Sequence, residues 1–362
     1  MKRSRLGVRT EVWLLLVLSL AMSAMSGCAA ADVHEGVFAV NTKNGAQMWL
    51  GEPAGIPVWS PTDNTVAWGN EDGLFLRTLD EAGSRRLSAA AVAGVPGWSP
   101  DGKNLAYVDR DRASLVVVAV NSGAEQFSEP LDHRRGGNSQ LSLLTLGGPT
   151  WAPDGSHIAY VCWDGIGDEI CLIGSDGTGW RQITRIGRPR SEDGSAMSQS
   201  ALAASNTGPP AWSPDGDYLA AAVYPERPGA TTGVFLVDLE GGIGRRLSSL
   251  QPNSVVTWSP SGDSVVFSAF RRGRSDAFRV VLGNSTLQRV TEGLPEAARN
   301  PSLSPDGSSI AVESGGGIVV LGLQGQTQTF SIPSLRSSYP SWSPDGTAIA
   351  IAATSDPITS YN

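Results

Sequence analysis

Histidine and cysteine are scarce: the 362 residues contain three of each. His34, His133 and His157 stand far apart, no two at the spacing of a metal-binding pair, and no Gly-x-Ser-x-Gly nucleophile elbow occurs. No metal, cofactor or catalytic residue is therefore expected. Beyond Cys28 no apolar run reaches the length of a membrane-spanning helix, and helical periodicity is missing as well. Positive charge is in deficit. The whole chain carries a net −8; residues 1–27 hold four basic residues and Glu11, and without them 23 basic side chains face 34 acidic ones, a net of −11. That balance argues against nucleic acid and against a general attraction to anionic lipid.

What the chain has instead is a short phrase used seven times. It reads Trp98-Ser99-Pro100-Asp101-Gly102, Trp151-Ala152-Pro153-Asp154-Gly155, Trp212-Ser213-Pro214-Asp215-Gly216 and Trp342-Ser343-Pro344-Asp345-Gly346. Looser copies begin at Trp59, Trp258 and Leu303, so the spacings are 39, 53, 61, 46, 45 and 39 residues, the range of a four-stranded propeller blade. Ser-Pro-Asp-Gly is a tight turn: a polar cap, a proline with preset φ, an aspartate and a glycine. A catalytic role for these aspartates is not expected, because seven copies do not make one site. The tryptophan packs between sheets, and a proline two residues upstream in six copies reads as a strand start, where no ladder donor is needed.

Each phrase is followed by short β-rich runs separated by Gly, Asp and Asn turns, four strands (a to d) per unit with the phrase joining a to b. Residues 36–50 read as strands c and d, and residues 342–354 as a and b. The expected fold is thus an all-β, seven-bladed propeller of four-stranded antiparallel blades, closed by two strands from each terminus; six blades plus a degenerate extra unit is the alternative. The pattern Pro-x-Trp-Ser-Pro-Asp-Gly, apolar strand, Gly/Asp loop, second strand, Arg-x-Leu/Ile-Thr/Ser resembles the WD40-like (PD40) repeats of the TolB propeller over residues 36–354. The TolB protein has an additional α/β domain before its propeller, for which this chain leaves no room. The resemblance implies the fold and little about chemistry, because the function of such folds lies in their loops.

Residues 1–27 read as an export signal, with Lys2, Arg3, Arg5 and Arg9 before an apolar stretch of thirteen from Val12 to Ala24. Met25-Ser26-Gly27-Cys28 resembles a bacterial lipobox, which makes Cys28 the lipidated residue, residues 28–35 a tether and residues 36–362 the propeller. The expected location is membrane-anchored on the extracytoplasmic side, periplasm or cell surface. In unit three, a hairpin with residues 165–168 as its loop places Cys162 opposite Cys171, where a disulfide closes; two buried thiols are the alternative. The basic residues Arg85, Arg86, Arg181, Arg245, Arg246 and Arg289 begin strand d, the outer edge, where charge discourages edge pairing.

Two long d-to-a connections, residues 128–148 and 185–208, flank unit three. They share one face with the b-to-c loops. Candidate partner-binding residues there are Arg110, Arg112, His133, Arg134, Arg135, Asp164, Asp168, Arg271, Arg272 and Arg274. The expected function is binding of an envelope or membrane protein, peptide or glycan by a monomeric propeller that touches the membrane only through its lipid. A carboxylate-dependent glycan hydrolase or lyase with its site in the central channel is the alternative; the a strands carry Pro, Ser, Thr, Val and Ala where such a site needs acids.

Overall fold

The computed structural model describes residues 34–132, 148–164, 168–184, 205–225, 232–240, 242–323 and 325–355, and every regular element among them is a strand. They form seven antiparallel sheets. Blade 1 runs Ile56–Trp59, Thr65–Asn70, Gly73–Thr78, Arg85–Ser88 from axis to rim. The closing blade takes strands a and b from the C-terminal end, Arg336–Trp342 and Ala348–Thr354, and c and d from the N-terminal end, Gly36–Asn41 and Gln47–Gly51. Its two halves are joined in register from Gly36↔Ala353 to Asn41↔Ala348. The ring has seven blades, and the six-blade alternative falls.

The turn phrase folds as its chemistry dictates. Gly102 N–H donates to the Ser99 carbonyl at 2.9 Å, the Ser99 hydroxyl donates to Asp101 Oδ1 at 2.7 Å, and Asn104 N–H returns to Ser99 Oγ at 2.9 Å. Gly102 sits at φ +70°, the left-handed region open to glycine. In the looser copy Ser261 replaces the aspartate, and Asp263 two residues on accepts the Ser259 hydroxyl at 2.8 Å instead.

The tryptophans do more than fill space. Each indole N–H donates to a strand-a carbonyl of the preceding blade: Trp59 to Ser341, Trp98 to Val58, Trp151 to Gly97, Trp212 to Thr150, Trp258 to Ala211 and Trp342 to Ser302, at 2.9–3.3 Å. The apolar core divides into seven clusters, one per seam between blades, and in six of them the indole packs with an alanine of the preceding blade's strand b: Ala350, Ala67, Ala106, Ala159, Ala220 and Ala311. At the seventh seam, Leu303 replaces tryptophan and Val266 replaces alanine. A large–small pair has become two middle-sized side chains, which conserves volume and gives up the hydrogen bond. Leu303→Trp alone should overpack the seam and cost about 1–3 kcal/mol. Adding Val266→Ala should recover most of that loss, and denaturant unfolding of the double-mutant cycle checks it through a coupling of about 1 kcal/mol or more.

A second belt runs outside. Arg85, Arg181 and Arg245 donate to the carbonyls of Val120, Leu239 and Leu282 on the following blade at 2.6, 2.9 and 3.1 Å. These arginines clasp adjacent blades as well as charging an edge strand.

Two local expectations are corrected. Pro96, Pro301 and Pro340 lie inside strand a, not at its start, each at a register shift: between Ala93 and Gly97, Arg299 and Ser302, Ser338 and Ser341. Strand a is the inner edge of its sheet, where a bulge absorbs the missing N–H. In blade 3 the hairpin register pairs Trp163 with Asp168, Cys162 with Glu169 and Tyr160 with Cys171. The cysteines are therefore diagonal rather than opposite, because the loop lies one residue earlier than expected. Strand twist shortens one diagonal, and the structure joins Cys162 to Cys171 by a disulfide with Cα atoms 5.8 Å apart.

Candidate binding channel and the face above it

The seven a strands contact one another in sequence around the axis and enclose a channel of about 670 Å³. At the turn face it lies between Pro61, Pro100, Pro153, Pro214, Pro260 and Pro305, with the six tryptophans and Leu303 behind them; deeper in, Val95, Pro209 and Val255 line the wall. None of the described residues lining it carries an ionisable side chain. What it presents is apolar surface, Ser and Thr hydroxyls and the backbone of edge strands.

The turn aspartates nearby are committed to their own turns. The hydroxyls of Ser264 and Ser259 hold Asp263 down at about 2. Asp101, Asp154, Asp215 and Asp306 are lowered too, chiefly by the hydroxyls of Ser99, Ser156, Ser213 and Ser304. A carboxylate with a folded value below its unfolded one of about 3.9 adds stability that is complete above about pH 4 and is lost as the pH falls towards 2. Stability measured by denaturant titration should therefore drop across that window, and Asp263→Asn should flatten part of the drop.

Buried acids also serve the scaffold. Glu169 is fully buried and accepts the Thr184 hydroxyl at 2.6 Å, while Thr184 Oγ1 accepts Ile170 N–H at 2.8 Å. Asp276 and Thr291 repeat the arrangement in blade 5, with Arg289 Nη2 donating to Asp276 Oδ1 at 2.9 Å. The sequence signal for it is the threonine that ends the repeat, in Arg181-Gln182-Ile183-Thr184 and in Arg289-Val290-Thr291. Among the described residues no three His, Cys, Asp or Glu side chains come together as a metal site.

On the face of the b-to-c loops, the candidate residues separate. Arg110 pairs with Glu71 of the neighbouring blade at 2.7 Å. Arg112 pairs with Glu125 at 3.0 Å and Asp109 at 2.6 Å, and these hydrogen bonds push its guanidinium above the usual arginine range. Arg274 binds the carbonyls of Leu294, Pro295 and Glu296. Asp168 is buried and Asp164 half-buried at the blade 3 hairpin. Arg271 and Arg272 are exposed. Cys28, His133, Arg134 and Arg135 lie outside the described residues, as do residues 133–147 and 185–204 of the two long connections. At its described end the first connection is shorter than expected, because strand d of blade 2 continues to Pro130.

Seven blades around one channel, closed by strands from both ends of the chain, define a β-propeller in which many polar side chains hold the scaffold. The TolB beta propeller domain family (PD40) matches residues 142–359, more than half of the chain, and the chain belongs to it. No curated protein matches the sequence. Among solved structures it is similar to a TolB-type protein from Agrobacterium tumefaciens, with 20% identity, 75% of this chain and 94% of that one covered and a TM-score of 0.50. It is also similar to an oligogalacturonate lyase from Vibrio parahaemolyticus, with 12% identity, coverage of 91% and 100% and a TM-score of 0.60. An oligogalacturonate lyase solved with manganese gives 14% identity, coverage of 90% and 97% and a TM-score of 0.58. At such identities the likeness is one of fold.

Proposed function

We propose that this propeller is an exported binding module, held at the membrane by lipid on Cys28, that takes an extended apolar segment of an envelope protein or peptide into its channel. The supporting observation is the channel wall: about 670 Å³ with no acid or base among the described residues that line it, suited to desolvating a chain and unsuited to proton transfer. The likeness to the lyases is one of fold; the described lining of hydroxyls, carbonyls, proline and tryptophan offers no acid or base for proton transfer. Orientation follows from the entry of the chain. Glu35 accepts hydrogen bonds from the backbone and hydroxyl of Ser355 at the b-to-c end of the closing blade. Seven residues, 29–35, separate Cys28 from Gly36 and reach roughly 25 Å when extended. That face is then held toward the membrane, and the proline-ringed mouth points away from it.

Val255 lines the channel outside the core clusters. Val255→Arg should abolish capture of peptides selected on the wild-type protein by phage display, lowering affinity more than 100-fold, with the melt unchanged. Equal capture by both proteins would refute the channel as the binding site.

A further inference from the structure

The b-to-c hairpin of blade 5 reaches further than those of blades 1, 2 and 6. Strands Ser264–Arg271 and Arg274–Val281 have eight residues each, whereas the same strands in blades 1, 2 and 6 have six and start level with them after the turn phrase. Two further residues per strand carry the tip about 7 Å beyond those of blades 1, 2 and 6. The pair Arg271↔Arg274 closes it, leaving Arg272 and Gly273 as a two-residue turn with φ of +52° and +77°. That turn favours Asn or Asp followed by Gly, and an arginine in the left-handed region costs stability.

The protruding segment carries Phe270, 42% exposed, together with Arg271 and Arg272, which are exposed and make no ion pair or hydrogen bond among the described residues. Arg274, directly after the turn, holds the tip to the carbonyls of Leu294 and Glu296, and the Ser275 hydroxyl donates to the Ala298 carbonyl at 2.7 Å. The tip is thus a braced projection with two uncommitted cations and an aromatic ring. It stands on the face from which residues 34–36 lead to the tether.

We infer that this tip is a second membrane contact, in which Arg271 and Arg272 bind the phosphate groups of anionic lipids and Phe270 enters the interface. The inference rests on the orientation proposed above. A chain of net −11 is repelled by anionic lipid as a whole, so two arginines and one phenylalanine do not hold it there unaided. With the propeller already tethered, a contact of that strength is enough to set its tilt.

The test uses the full lipidated chain on vesicles of phosphatidylcholine with and without 30% phosphatidylglycerol, read by flotation and by amide hydrogen exchange. Flotation reports the lipid anchor. Exchange at residues 270–274 reports the tip: it should slow about 10-fold on the anionic vesicles, and return to the neutral-vesicle rate in 0.5 M salt and in Arg271→Glu/Arg272→Glu. In the lipidated chain at low salt, each arginine replaced singly by alanine should weaken the protection of the tip about 5-fold while flotation stays unchanged. Tip exchange that is equal on both vesicles, or unaffected by charge reversal, overturns the inference even if the protein floats. Protection of the tip by an acidic soluble protein but not by lipid overturns it as well.

Discussion

Deleting residues 342–362 is expected to unfold the entire ring rather than trim it. The deletion removes Trp342 and the strand Ala348–Thr354, which is paired along its length with Gly36–Asn41. From Ala348 to Ala353 every residue is buried, and they serve two seams at once. Ala348 and Ala350 pack with Val37, Trp59 and Val66; Ile349, Ile351 and Ala353 pack with Val40, Ala311 and Ile318. Burying two isoleucines and four alanines is worth about 6–9 kcal/mol, comparable with the whole net stability of a domain. Strands Gly36–Asn41 and Gln47–Gly51 then lose their inner neighbour and expose an apolar edge. Circular dichroism should show lost cooperativity and the truncated chain should aggregate. A single melt like that of the full chain would show that the blades are stable without closure.

The second large effect belongs to the indole belt. Trp258 is buried between blades 4 and 5, packs with Ala220, Phe267 and Phe278, and donates to the Ala211 carbonyl at 2.9 Å. Trp258→Ala should cost about 3–5 kcal/mol from the lost packing and the cavity left behind. Trp258→Phe retains an aromatic ring but no donor, and should cost about 1–2 kcal/mol, most of it the hydrogen bond and the smaller ring. Equilibrium unfolding of the two variants separates packing from stapling. If Phe cost as much as Ala, the hydrogen bond would dominate; if Phe cost nothing, the indole N–H would be incidental to stability.

Much of the architecture was legible because it rests on local chemistry repeated at intervals. Ser-Pro-Asp-Gly makes a turn wherever it stands, period-two apolar runs make strands, and unpaired half-units at the two ends call for each other. The mode of closure follows from these, and seven blades agree with them, whereas the sheets themselves exclude the six-blade alternative. The hairpin of blade 3 marks the limit: moving its loop by one residue slips the register and turns an opposite cysteine pair into a diagonal one, and no local signal distinguishes the two.

The roles of polar side chains were decided by neighbours distant in sequence. Trp59 donates to a carbonyl 282 positions away, so its N–H has no local signature beyond the recurrence of tryptophan. Arg110 and Arg274, free in appearance among loop residues, are taken up by Glu71 and by the backbone of residues 294–296, whereas Arg271 and Arg272 beside them are not. The sequence by itself determined the repeat, its turns, its strands and the closing of the ring, because each depends on a few contiguous residues. Only the tertiary structure decided which charges are spent on scaffolding, how Leu303 and Val266 replace an indole, and that the described wall of the channel is uncharged. Those properties arise where one blade meets the next.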